Sequence, residues 1–197
     1  MLGLQNLEEA LETLGAVLEG RGLSHGILVV GGSSLLLLGL IDRPTADLDV
    51  IAFAAQGSFV KAEQIPPSLI EAVRDVAAVL ELRHDWLNNG PASLMDLGLP
   101  QGYEARTELR RYGSLDVYIP ARVDLVCFKL YAAVDQGPRS KHFQDLQAMA
   151  PTSSELSTAV TWCQSHDPSS GFESEMQAAL AHLTSVLRSA GGDDADS

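Results

Sequence analysis

Basic residues are scarce in this chain. Thirteen lysines and arginines stand against 26 aspartates and glutamates, a net charge of −13. Such a protein repels nucleic acid at long range and lacks the usual basic footprint of a nucleic-acid binder. A nucleic-acid substrate would need a local basic patch and a cation to be held. A basic protein partner is favoured, and the acidity also serves solubility. Long apolar runs are missing too. The longest candidate, residues 27–41, is broken by Gly31-Gly32-Ser33-Ser34 and falls short of the roughly 20 residues a span needs. No membrane partner is expected. The N-terminal stretch has no basic region and carries acids, which excludes a secretory signal and points to the cytoplasm. Cysteine is limited to Cys127 and Cys163, without metal-ligand spacing. Reduced thiols are expected, and no zinc site.

What is present is a globular chain of 197 residues, 46% hydrophobic and 20% charged, long enough for a sizeable core. Its organising stretch is residues 27–53. Ile27-Leu28-Val29-Val30 reads as a strand. Gly31-Gly32-Ser33-Ser34 reads as a small-residue turn, and 35–41 as a short helix. A polar link, Asp42-Arg43-Pro44-Thr45, leads to Asp47-Leu48-Asp49 at the start of a second strand. Strand side chains alternate, so Asp47 and Asp49 face one way while Leu48 and Val50 face the core. Two carboxylates on one face are tolerable when a cation lies between them. Mg²⁺ suits such oxygens and commonly adds substrate phosphates to its shell. The Gly31-Gly32-Ser33 turn lets backbone N–H groups approach a phosphate. Gly32 and Ser33 are therefore candidate nucleotide-binding residues, and Asp47 and Asp49 candidate metal ligands.

In this order and at this interval, the two motifs resemble the nucleotidyltransferase fold of the polymerase-beta superfamily. The local form GGSSLLLLGLIDRPTADLDV resembles its AbiEii/MenT-type branch, with Arg43, Thr45, Asp47 and Asp49 matching Arg-x-Thr-x-Asp-hydrophobic-Asp. The resemblance covers roughly 25–150. It implies an α/β (α+β) fold, a small mixed β-sheet flanked by helices, with a helical C-terminal part. The expected division is 1–150 for the nucleotidyltransferase-like domain, 151–190 for the C-terminal helices and 191–197 for a disordered tail.

Elsewhere the periodicity predicts a packing helix over 6–19, capped by Asn6 with Glu8 and Glu9 in its first turn. Residues 54–67 read as a loop and 68–86 as a second helix. Trp86 is expected in the core and Asn88 in a turn or as a capping residue. Residues 94–120 lean towards strand. There Arg106, Arg110 and Arg111 form the densest basic cluster, a solvated face or a phosphate contact. Asp116, on a plausible strand, is a candidate third carboxylate and general base.

From Arg122 the pattern is helical. Lys129 is bracketed by apolar residues, an expensive place for an unpaired ammonium. A phosphate, an acid or snorkelling to solvent would satisfy it. The resemblance matches Lys129-Leu130-Tyr131-Ala132 to the branch's third motif, Lys-Leu-x-Ala, and Asp145 to the fourth. It thereby implies that Lys129 contacts the triphosphate and that Asp145 completes the catalytic set, with Arg139 and Lys141 near phosphates. The family often reads Lys-Asp directly, whereas Lys141 and Asp145 are four apart here, the spacing of a helical salt bridge.

The same resemblance implies a toxin of a toxin–antitoxin pair. It would be a Mg²⁺-dependent enzyme that adds nucleotides to the 3′ acceptor end of tRNA and so blocks translation. Its partners would be an NTP (CTP or another pyrimidine triphosphate among the candidates), tRNA and a cognate antitoxin. Two other readings stay open: NMP transfer to a protein or small molecule, and a nucleotide-binding module without activity.

Overall fold

The computed structural model describes residues 1–192 and comprises two compact units, Met1–Ala121 and a helical one from Arg122 onward. The expected tail at 191–197 lies outside the described residues, apart from Gly191 and Gly192, which close the last helix.

In the first unit the chain runs α1 (Leu4–Gly20), β1 (His25–Val30), α2 (Gly31–Leu37), β2 (Leu48–Ala55), β3 (Ser58–Lys61), α3 (Pro67–Val79) and β4 (Leu87–Asn88). A 3₁₀ turn (Gly90–Leu97), α4 (Tyr103–Arg106), β5 (Glu108–Tyr112) and β6 (Leu115–Ile119) complete it. The six strands form one mixed sheet in the order β3-β2-β1-β6-β5, with β4 also beside β2. β1 pairs antiparallel with β2 and parallel with β6. The central strand is apolar on both faces, with Ile27, Leu28 and Val29 fully buried.

α1 packs by an apolar stripe, with Leu7, Ala10, Leu11, Leu14 and Leu18 at 0% exposure. Its start differs from expectation. Gly3, not Asn6, is the N-cap, and Leu7 N–H bonds to the Gly3 carbonyl at 2.9 Å. The cause is Leu2, which is buried and pairs with Thr45 through two backbone bonds of 2.7 and 2.9 Å. That bridge holds the chain extended up to Gly3, so the helix begins one residue later and Glu8 and Glu9 fall beyond its first turn.

Gly15 lets α1 lie directly on the sheet. A Cβ there would stand 1.7 Å from the Tyr112 carbonyl oxygen, a backbone atom with nowhere to swing. Gly15→Ala is therefore expected to destabilise the protein by about 1–3 kcal/mol, although alanine is the better helix former. A urea-denaturation midpoint at or above the wild-type value would refute this close approach.

Two other expectations need correction. The presumed loop 54–67 contains a hairpin: Gln56 and Gly57 both take positive φ, 50° and 83°, and β3 returns along β2. Such a two-residue turn fits the twist of the paired strands. The helix expected to reach Trp86 stops at Val79. Glu81 turns left-handed (φ 55°), and Leu82 N–H bonds back to the Ala77 carbonyl at 2.9 Å. Trp86 is wholly buried, as expected, and donates its indole N–H to the Val73 carbonyl at 3.1 Å.

The second unit consists of α5 (Arg122–Gln136), α6 (Lys141–Met149), α7 (Ser153–His166) and α8 (Ser170–Gly192). A capping box between Thr152 and Glu155 starts α7. Arg122 bridges Glu155 at 2.7 Å and the Met149 carbonyl at 2.6 Å, tying the end of α6 and the start of α7 to the start of α5. Among the described residues no helix is long and apolar enough to cross a membrane.

Candidate active site

β1 ends at Val30 and α2 begins at once, so the small-residue turn is the helix's first turn rather than a separate loop. Gly31 makes the corner with φ +80°, a conformation that glycine adopts at little cost. Beside it on β2 lies Asp49, in register with Val30. A Cβ on Gly31 would come 2.5 Å from Asp49 Oδ2. One on Gly32 would come 2.9 Å from Thr45 Oγ1 and 3.7 Å from a guanidinium nitrogen of Arg43. The two glycines thus serve a purpose that the motif alone does not reveal: they let the backbone lie against the Asp49 carboxylate and the Arg43–Thr45 loop.

That loop is held from several sides. Thr45 is buried, bridges to Leu2, and donates its hydroxyl to the Asp47 carbonyl at 3.3 Å. Leu48 N–H bonds to the Trp86 carbonyl at 2.6 Å. The predicted alternation is present: Leu48 and Val50 are fully buried, while Asp47 and Asp49 are half-exposed. Among the described residues no cluster of three or more His, Cys, Asp or Glu forms a metal cage. Asp47 and Asp49 are the carboxylates that could hold a cation; Mg²⁺ takes such oxygen donors and keeps positions for water.

Ser33 is placed differently from expectation. It is fully buried, and its hydroxyl donates to the Val30 carbonyl at 3.1 Å. The side chain fastens the corner to the end of β1. Arg83, read from the sequence as a helix residue, lies in the loop before β4. Its guanidinium is held above its ordinary value first by the hydrogen bond to Asp85, and further by the charges of Asp85 and Asp47. A basic side chain near Asp47 was not legible because helix periodicity runs on past the point where α3 stops.

Asp116 is on β6 as expected, but in register with Gly26, four residues before the Val30 that pairs with Asp49. At about 3.3 Å per residue, that is roughly 13 Å along the strand. Asp116 instead pairs with Arg111 at 3.5 Å. The geometry removes it as a third carboxylate beside Asp49. The basic cluster divides likewise: Arg110 meets Glu108 at 2.7 Å, and Arg106 donates to the Gln101 carbonyl at 2.8 Å. This is the solvated-face arrangement. A cavity of about 710 Å³ lies at this far end of the sheet, lined by His25, Phe59, Arg111, Asp116 and Tyr118 among others, away from the glycine corner.

In the second unit, Lys129 on α5 and Asp145 on α6 meet at 2.6 Å with side-chain exposures of 4% and 1%. Of the three ways to satisfy the buried ammonium, the structure contains the acid. Asp145 is thus tied to a residue sixteen positions away rather than identified by the i,i+4 pairing with Lys141. Arg139 and Lys141 are exposed.

A family model described as "Nucleotidyltransferase of unknown function (DUF6036)" matches residues 5–149. No curated protein and no solved structure matches the chain. The mixed six-stranded sheet with flanking helices, followed by a helical C-terminal part, is a nucleotidyltransferase fold.

Proposed function

The chain belongs to this nucleotidyltransferase family, and from that premise we propose that it transfers a nucleoside monophosphate from an NTP to the 3′ end of tRNA. The observation that carries the reading is the contact between the glycine corner and Asp49, which sets a backbone able to approach phosphate against a carboxylate able to hold a cation. Asp47 and Asp49 would hold Mg²⁺, which would supply electrostatic stabilisation to the transferring phosphoryl group. Gly31 and Gly32 keep the corner open to the triphosphate, since any side chain at Gly31 would meet Asp49. Ser33 anchors the corner to the end of β1. Thr45 fixes the approach to Asp47. The acceptor hydroxyl attacks the α-phosphorus and gives up its proton to water, an O–P bond forms, the α–β bridge breaks, and pyrophosphate leaves.

The tRNA acceptor, the toxin role and the cognate antitoxin rest on the resemblance of Arg43, Thr45, Asp47, Asp49, Lys129 and Asp145 to the AbiEii/MenT-type motifs. In that branch the third motif contacts the triphosphate and the fourth completes the catalytic set. Lys129 and Asp145 occupy them here and are paired with each other, so their role is tested apart from that of the carboxylates. The direct experiment incubates purified protein with tRNA, Mg²⁺ and each labelled NTP. Label is expected at the RNA 3′ end with at least one of them. No label on RNA with any of the four would end the tRNA claim.

The net charge of −13 favours a second reading, transfer of AMP to a basic protein or cationic small molecule. Labelled ATP with such acceptors, in the absence of RNA, separates the two.

A further inference from the structure

β4 is only two residues long, yet its position matters. It pairs parallel with β2 in the register Leu48↔Leu87 and Asp49↔Asn88. Registered neighbours on adjacent strands project to the same face, and the strands lie about 4.8 Å apart. Asn88 therefore stands beside Asp49 on the side opposite Val30. Its neighbours hold it there. Trp86 is fully buried and its carbonyl accepts from Leu48 N–H, while Leu87 is buried against the core. The orientation of the amide is also set. Asn88 Oδ1 accepts from Gly90 N–H at 2.8 Å, closing a turn directly after the strand. What that turn does not use is the Nδ2 group, with two donor hydrogens on a half-buried side chain.

We propose that Asn88 is a nucleotide-positioning residue: its Nδ2 donates a hydrogen bond to a non-bridging oxygen of the triphosphate that the Asp47/Asp49 site receives. The inference rests on the nucleotidyl-transfer reading of that site. A neutral donor is the chemistry this position needs. Asp47 and Asp49 already supply the negative charge that a cation requires, and a third carboxylate there would repel the phosphates. An amide holds a phosphate oxygen without adding charge.

The test exploits the amide's two ends. Asn88→Asp keeps an oxygen for Gly90 N–H and so keeps the turn, but it loses the donor. Asn88→Ala loses both. Binding of each of the four NTPs, with MgCl₂ present, is measured by calorimetry on wild type and both variants, alongside their thermal unfolding. Asn88→Asp is expected to unfold like wild type yet bind the best NTP more than 100-fold more weakly, because it loses the donor and its carboxylate repels the phosphates, whereas Asn88→Ala, which adds no charge, is expected to bind it about 10- to 100-fold more weakly, the loss of one hydrogen bond to a charged group. The corresponding nucleoside, which has no phosphate, is expected to bind both proteins alike. If wild type binds an NTP and Asn88→Asp binds it within twofold, Asn88 is only a turn residue and the inference falls, while the reading of the carboxylates stands. If wild type binds no NTP with Mg²⁺, the reading falls and the inference with it.

Discussion

Replacing Asp49 with asparagine is expected to lower nucleotidyl transfer by about 10³-fold while leaving the fold in place. The size follows from what a metal-held carboxylate does in phosphoryl chemistry: it secures several kcal/mol of charge stabilisation, and each 1.36 kcal/mol is a factor of ten in rate. Tolerance of the fold follows from the site. Asp49 is half-exposed at the end of the strand pairing, its neighbours Leu48 and Val50 carry the burial, and asparagine has the same shape. The loss is expected in the catalytic constant, with circular-dichroism melting near the wild-type temperature. Transfer by Asp49→Asn at the wild-type rate, under conditions where wild type labels an acceptor, would remove the two-carboxylate mechanism. A bulkier probe acts from the other side of the same contact. Any side chain at Gly31 must displace the Asp49 carboxylate, so loss of activity in a folded Gly31→Ala protein would be a second sign that the corner and the carboxylate work together.

The parts of this site that were legible in advance share one property: they depend on neighbours in sequence. Strand alternation put Asp47 and Asp49 on one face with Leu48 and Val50 inward, and burial follows that pattern. The strand–corner–helix–strand order is there, with the helix starting at Gly31 rather than after the small residues. What was not legible depends on pairing between distant segments. The Leu2 bridge to Thr45 moves the start of α1 and fastens the loop before Asp47, yet nothing in a single stretch announces it. Asp116 alternates correctly along its own strand, yet whether it stands beside Asp49 is not readable from that strand, because only the β1–β6 register sets its height on the sheet. Asn88 is the converse case. It read as a turn residue, and it is one, but the two-residue pairing with β2 also sets it beside Asp49. The hairpin at Gln56-Gly57 was missed for a local reason. Glutamine seldom signals a positive φ, so the turn lacked the Asn-Gly or Gly-Gly signature.

Lys129→Ala is expected to destabilise the protein by about 3–5 kcal/mol, enough to unfold a marginal domain, because it strands the Asp145 carboxylate at 1% exposure without its ammonium partner. Asp145→Ala should cost a similar amount for the mirror-image reason. The double change Lys129→Met with Asp145→Leu is expected to restore most of the loss. It removes both charges together and fills the space with apolar atoms, a replacement that is often neutral or stabilising for buried ion pairs. Urea unfolding of the four proteins closes the cycle. A large coupling between the two positions is the expected result, and additive effects would mean that the 2.6 Å contact contributes little. The double variant also separates stability from chemistry, which the single changes cannot do. Folded but inactive in nucleotidyl transfer, it would assign the pair to the reaction, as the motif resemblance implies. Folded and active, it would leave Lys129 and Asp145 as a buried ion pair whose task is to hold α5 against α6 within the helical unit.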